Sequence, residues 1–202
     1  MAMVKISEIR RREIIEAACK VFSEKGYHNT SMSDIAAELE VGHGTLYRYF
    51  DNKLDIASSV TDLVIMKITE VIIAEPPENL RTLEDYREQL DRIGKRFYKL
   101  HEDSPEVHRI FFRMSSDIDD TIAKKINGAF DLFTSFTEEY LKTGIKRGFL
   151  KPDIHTREAA LSINAMLFEA ARRLSLEPKI TDESKRAWSE TIVGLMLDGL
   201  AV

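Results

Sequence analysis

The chain has 202 residues, 44% of them hydrophobic and 31% charged, and a formal net charge of −5. That length allows one large domain, or a small module joined to a larger one, and either buries a proper core. No apolar run is long enough to span a bilayer, the basic start (Lys5, Arg10, Arg11, Arg12) lacks the unbroken apolar region of a signal peptide, and the single Cys19 excludes an intrachain disulfide, so the expectation is a cytoplasmic protein.

From about Ser7 to Lys25, Ile15, Ala18 and Phe22 recur at helical spacing, and Gly26 closes the run as a C-terminal cap. Cys19 lies in this run beside Ala17 and Ala18 and reads as core. Ser31 with Asp34 is a capping-box spacing that starts a second helix with Ile35, Ala36 and Leu39 on one face. Val41-Gly42-His43-Gly44 reads as a turn into a third helix carrying Leu46, Tyr47, Tyr49 and Phe50, which makes a helix-turn-helix pattern. Asn52 is placed to cap a fourth helix that runs to about Ala74, where Pro76 and Pro77 stop it.

Helical spacing continues beyond the prolines. Thr82 with Asp85 opens a fifth helix, Ser104-Pro105 a short sixth, and a seventh extends from near Asp119 to Arg147, closed by Gly148 and Pro152. An eighth follows Thr156 until Pro178, and a ninth follows Thr181. No stretch alternates as a strand, so the fold is expected to be all-α with about nine helices. The division expected is a three-helix helix-turn-helix domain over 1–52 and a helical ligand-binding and dimerisation domain over 53–202.

Bulk charge does not favour nucleic acid. Residues 1–55 hold eight Lys and Arg against nine Asp and Glu, a net of −1, so a DNA case rests on where donors sit. His43, Gly44 and Thr45 open the third helix, Tyr47, Arg48 and Tyr49 follow one turn on, and Lys53 sits at the first turn of the next. Free amides at a helix start favour a phosphate, and Gly44 lets a backbone come close. Arg10, Arg11 and Arg12 either reach flanking backbone or are simply solvated.

Thr30-Ser31-Met32, Asp34-Ile35-Ala36, Val41, Gly44-Thr45-Leu46-Tyr47 and Tyr49-Phe50-Asp51-Asn52-Lys53 together resemble the N-terminal domain of the tetracycline-repressor (TetR) family. Ile15, Ala17, Ala18, Phe22 and Gly26 fit the same pattern. The resemblance implies a dimeric transcriptional regulator, usually a repressor, bound to a palindromic DNA operator and released by a small apolar or amphipathic molecule. It places His43 and Gly44 at base edges, Thr45, Tyr47, Tyr49 and Lys53 at phosphates, Arg48 at either, and Ser31 and Ser33 on the backbone from the other side. Glu40 stands where the family commonly has Gly, and Gly42 where it has Ser, so the turn is less relaxed and the third helix lacks a side-chain cap. The match covers about the first quarter of the chain, and the rest resembles the family only in helical layout.

Phe97, Phe111, Met114, Phe130, Phe133, Phe136 and Phe168 either line a ligand cavity or fill the core. Asn164 lies among apolar neighbours, so its amide is expected to bond a ligand, a neighbouring side chain or a dimer mate. In the ninth helix Ile192 to Leu197 is apolar on nearly every side apart from Gly194, and the eighth is alanine-rich. Ile163, Leu167, Ala170, Leu174, Ile192, Leu195 and Met196 therefore form a candidate dimer interface, the alternative being burial inside one subunit. Gly42-x-Gly44 follows no strand and is not a dinucleotide site, and Pro105 breaks the spacing of His101 and His108 as metal ligands. No catalytic constellation, cofactor, metal or membrane partner is expected. The runner-up readings are a helical small-molecule binder with lost DNA function and an effector-free DNA-binding protein of the same fold.

Overall fold

The computed structural model describes residues 2–76, 80–113, 118–176 and 181–200, which form nine α-helices and no strand, as the pattern leads one to expect. They are α1 (Ala2–Lys25), α2 (Met32–Glu38), α3 (His43–Leu46), α4 (Lys53–Ile73), α5 (Leu83–Asp103), α6 (Pro105–Arg113), α7 (Asp120–Lys146), α8 (Thr156–Leu176) and α9 (Asp182–Leu200). α1 starts earlier than Ser7 because nothing before Gly26 breaks a helix. It ends where Gly26 takes φ +80° and its N–H reaches the Phe22 carbonyl at 2.9 Å. Both capping boxes form: Asp34 N–H meets Ser31 Oγ at 3.1 Å, and Asp85 N–H meets Thr82 Oγ1 at 3.0 Å. Asn52 caps α4 by accepting the Asp55 N–H at 3.0 Å.

The helices gather into two compact units, Met1–Lys67 with Ser104–Asn127 and Ile68–Asp103 with Gly128–Val202. The expected limit at residues 52 and 53 thus falls inside the first unit, where α1 packs on α2 and α6 and the first part of α4 joins them. Ile14, Ala18, Phe22, Ile35, Leu46, Phe50, Ile56 and Val60 are buried there. The core residue at the start of α1 is Ile14, with Ile15 half-buried.

In the second unit α9 packs on α5 and α8. One core cluster joins Leu141, Leu150, Ala160, Ile163, Ala170, Ile192 and Met196, and another joins Leu80, Tyr86, Tyr140 and Leu197. The turn after α7 folds back tightly: a Cβ on Gly144 would lie 2.7 Å from Cδ1 of the buried Leu150, so this position takes only glycine without displacement. Among the described residues no helix is long and apolar enough to cross a membrane.

Candidate functional site

The helix-turn-helix is held by backbone bonds at its turn. Leu39 ends α2, the Glu40 N–H bonds Ala37 O at 3.1 Å, and the Val41 N–H reaches back to Ala36 O at 3.0 Å. That pair of bonds is a Schellman closure, which requires a left-handed residue after the helix, normally glycine. Here the residue is Glu40, with φ +53°. Gly42 then precedes α3 in an extended conformation and offers no side-chain cap. At the other end of α2, the Asp34 carboxylate accepts Lys25 Nζ at 2.5 Å, Ser31 Oγ at 2.6 Å and the Ser31 N–H at 2.8 Å. Lys25 first, then Ser31, hold that carboxyl well below the usual carboxylate range.

α3 is a single turn, shorter than its sequence pattern promised. Tyr47, Arg48 and Tyr49 lie in the hydrogen-bonded turns that follow it, with the Tyr49 N–H on Leu46 O at 2.9 Å and the Phe50 N–H on Leu46 O at 3.0 Å. One turn carries little dipole, so the argument from a helix start weakens and the donors themselves must carry the case. Leu46 and Phe50 are buried as expected, which leaves His43, Gly44, Tyr47 and Arg48 exposed. The His43 ring meets the Tyr47 ring edge-on, centroids 4.9 Å apart. Ser31 and Ser33 are exposed on the start of α2, while Thr45 and Tyr49 are half-buried.

Two cations are used differently from expectation. Lys53 does not stand open to a phosphate: its ammonium donates to Tyr27 O at 2.8 Å and Thr30 O at 2.7 Å and lies 4.3 Å from the Tyr27 ring centroid. It ties the start of α4 to the link between α1 and α2, because that link leaves two carbonyls without helical partners. Arg11 donates to Tyr49 O at 2.9 Å and Ser59 Oγ at 3.0 Å, its guanidinium 4.2 Å from the Phe50 ring centroid. Sequence reasoning left its role open. The signal was present, since Arg11 lies three, seven and eleven residues before Ile14, Ala18 and Phe22, on the buried stripe of α1.

The ligand candidates divide. Phe130 and Phe133 both meet Phe168, with centroids 5.0 and 5.9 Å apart, and Phe97 and Phe136 are half-buried in the same unit. Phe111 is half-buried in the other unit, and Met114 lies outside the described residues. Asn164 takes the neighbour's option: Thr137 Oγ1 donates to its Oδ1 at 2.8 Å and its Nδ2 reaches Thr134 Oγ1 at 3.4 Å. A cavity of about 790 Å³ in the second unit is lined by Ala74, Glu75, Pro76, Leu80, Arg81 and residues of α5 together with Arg147, and by none of the nominated aromatics.

Of the interface candidates, Ile163, Ala170, Leu174, Ile192 and Met196 are buried inside their own chain, because α8 and α9 pack on each other. That corrects their availability to a second copy. Leu167 and Leu195 are 43% and 62% exposed, and Leu161 beside them in sequence is 51% exposed.

Residues 14–60 match the family described as "Bacterial regulatory proteins, tetR family". The chain is 50% identical over 52 residues to the HTH-type transcriptional regulator HbdR of Aromatoleum sp. (strain CIB), an alignment covering 26% of this chain and 23% of that protein. Such alignments span from 23% to 55% of the length of several curated relatives, so only part of each is matched. The fatty acid metabolism regulator protein of Bacillus subtilis (strain 168) is 27% identical over 191 residues, covering 93% of this chain and 94% of the relative. In fold, the chain is similar to the transcriptional regulator FadR from Bacillus subtilis in complex with stearoyl-CoA, with a TM-score of 0.72, 24% identity, and coverage of 93% and 98%. HbdR and FadR are named as transcriptional regulators and the Bacillus subtilis (strain 168) relative as a regulator of fatty acid metabolism, in agreement with the expectation that the chain is not an enzyme.

Proposed function

We propose that the chain, whose residues 14–60 match the TetR family of bacterial regulatory proteins, represses by binding a palindromic operator as a homodimer and leaves the DNA when a small amphipathic ligand occupies its second unit. The observation that carries the DNA half is the exposed cluster of His43, Gly44, Tyr47 and Arg48 around α3, with Ser33 on α2, over a turn fixed by buried Leu46 and Phe50. His43 and Gly44 read base edges. Ser31, Ser33, Thr45, Tyr47 and Tyr49 position the phosphate backbone, and Arg48 does either. Lys53 contributes by holding α4 in register.

The second copy covers Leu167 and Leu195, apolar side chains that α8 and α9 leave outside their own core. Two copies on a palindromic operator read half-sites about one DNA turn apart, roughly 34 Å. The ligand half draws support from the acyl-CoA complex of the fold relative and from the near full-length likeness to a fatty acid metabolism regulator. A long-chain acyl compound is accordingly the ligand class, its chain among the aromatics of α7 and α8.

A mobility-shift assay against the promoter of its own and adjacent genes tests the whole reading. Salt-sensitive, sequence-selective binding that palmitoyl-CoA reverses is the expected result, and the absence of any selective shift would sink it. Tyr47→Phe weakens every sequence alike, whereas His43→Ala changes the order of preference among them. Leu195→Glu gives a monomer in sedimentation if this face holds the dimer, and an unchanged dimer rejects the face.

A further inference from the structure

The recognition turn is too short to hold its own direction. α3 is four residues long, and the chain is out of helical conformation over 47–52 before α4 starts at Lys53. A single helical turn costs more to nucleate than its few hydrogen bonds return. What aims His43, Tyr47 and Arg48 must therefore come from the neighbouring elements.

The far end of the turn offers a carbonyl that the backbone does not use. The Tyr49 and Phe50 N–H groups both go to Leu46 O, at 2.9 and 3.0 Å, and no backbone N–H among the described residues meets Tyr49 O. Arg11 fills that place from α1. Its Nη1 donates to Tyr49 O at 2.9 Å and its Nη2 to Ser59 Oγ, on α4, at 3.0 Å.

The arrangement uses the shape of the guanidinium rather than its charge. Both acceptors are neutral. The two end nitrogens of one rigid plane meet two different elements, so the plane itself sets the spacing between the turn after α3 and α4. The Phe50 ring, 2% exposed, lies under that plane with its centroid 4.2 Å from the guanidinium carbon and keeps it from swinging. At the other end of the element Lys53 joins α4 to the link before α2 through Tyr27 O and Thr30 O. The helix-turn-helix is thus gripped before α2 and after α3, and α4 takes part in both grips.

We infer that Arg11 is a positioning residue for operator recognition: it fastens Tyr49 O to α4 and so fixes the angle at which His43, Tyr47 and Arg48 meet DNA, without touching DNA itself. The inference rests on the DNA-binding reading above and names what aims its reading side chains.

Arg11→Gln, Arg11→Lys and Ser59→Ala, compared with the native chain, test it. Ile56→Val serves as control, since it trims a fully buried side chain of the same unit and leaves Tyr49 O alone. The first measurement needs no DNA and follows amide exchange residue by residue by NMR. Arg11→Gln is expected to speed exchange at Tyr49 and Phe50 about tenfold beyond the control, the factor for one lost charge-assisted hydrogen bond, while Leu39 and Val41 keep the control's rates. Arg11→Lys, which ends in a single nitrogen, and Ser59→Ala, which removes a single oxygen, fall between; Ser59→Ala keeps the comparison available where Arg11→Gln does not fold. The second measurement is fluorescence anisotropy with the promoter of its own gene and a scrambled duplex of the same length. Arg11→Gln should lower the ratio of the two affinities about tenfold and leave binding to the scrambled duplex unchanged. Equal loss on both duplexes, with a shallower salt slope and native exchange rates, makes Arg11 a phosphate contact and overturns the inference. Exchange at Tyr49 and Phe50 no faster than in Ile56→Val overturns it as well. A native chain that prefers neither duplex defeats the DNA-binding reading instead, while fast exchange in Arg11→Gln still upholds the fastening.

Discussion

Replacing Lys53 by Met removes the ammonium and keeps most of the aliphatic stem, so it isolates what the charge does. In the structure that charge sits on Tyr27 O and Thr30 O at 2.8 and 2.7 Å and over the Tyr27 ring. Charge-assisted hydrogen bonds contribute ~1.5–3 kcal/mol each where they are sheltered, and exposure reduces that. Lys53 is half-buried, so the loss expected for the pair is ~2 kcal/mol, or a fall in Tm of about 4–8 °C for a chain of this size. Urea unfolding followed by circular dichroism measures it. Operator binding by fluorescence anisotropy over a range of KCl then separates the two roles. A structural clamp lowers stability and leaves the salt slope of the remaining folded protein unchanged. A phosphate contact leaves stability intact and removes about one counterion per protomer from the slope, a result that would refute the clamp.

Glu40→Gly relieves the left-handed strain at φ +53° and should stabilise by ~0.5–1 kcal/mol in urea, after allowing for glycine's own entropy, while Glu40→Ala changes little. Equal midpoints for the two variants would mean the turn stores no strain. Gly144→Ala drives a Cβ against Leu150 and costs ~1–3 kcal/mol as overpacking, and an unchanged midpoint would show that Leu150 steps aside. The Cys19 thiol is pushed up to about 12, chiefly by burial, so iodoacetamide at pH 8 should label it only as fast as the protein opens; rapid labelling of native protein contradicts its burial.

What the sequence made legible follows from where side-chain pattern alone decides the outcome. Ser31 with Asp34 and Thr82 with Asp85 close their boxes because three-residue spacing suffices to bring those atoms together. Glu40 is the one non-glycine with a positive φ among the described residues, and its departure from glycine was readable before any coordinates. Ile14 and Ile15 were not distinguishable, being adjacent and alike, until the tertiary packing of α1 buried Ile14 and left Ile15 half-buried. Lys53 and Arg11 were read as donors but not by destination. Which carbonyls a link or a turn leaves open, here those of Tyr27, Thr30 and Tyr49, depends on tertiary geometry. Five of the interface candidates turn inward for a related reason, leaving Leu167 and Leu195 exposed. Apolarity all round α9 shows that it has neighbours, but α5 and α8 of the same chain are enough to cover Ile192 and Met196.

The internal use of cations also sets how the protein should respond to salt. Within the first 55 residues Arg10 pairs with Glu13 at 2.8 Å, Lys20 with Glu38 at 2.6 Å and Lys25 with Asp34 at 2.5 Å, while Arg11 and Lys53 serve the fold. Among the described Lys and Arg side chains of that stretch only Arg12 and Arg48 make no hydrogen bond or ion pair. Two cations per protomer, about four per dimer, release few counterions, so the logarithm of the operator binding constant should fall with the logarithm of salt at a slope of about −3 to −4. Tyr47, Ser33 and Thr45 add contacts without adding charge. Binding of this kind gets its selectivity from donors placed at base edges and a fixed backbone register, and little from bulk attraction, which is how an acidic chain holds DNA at all. A slope of −7 or steeper would mean that Lys20 and Lys25 abandon Glu38 and Asp34 for phosphates. The capping box at the start of α2 would then have to open on binding, and the rigid view of this element would be wrong.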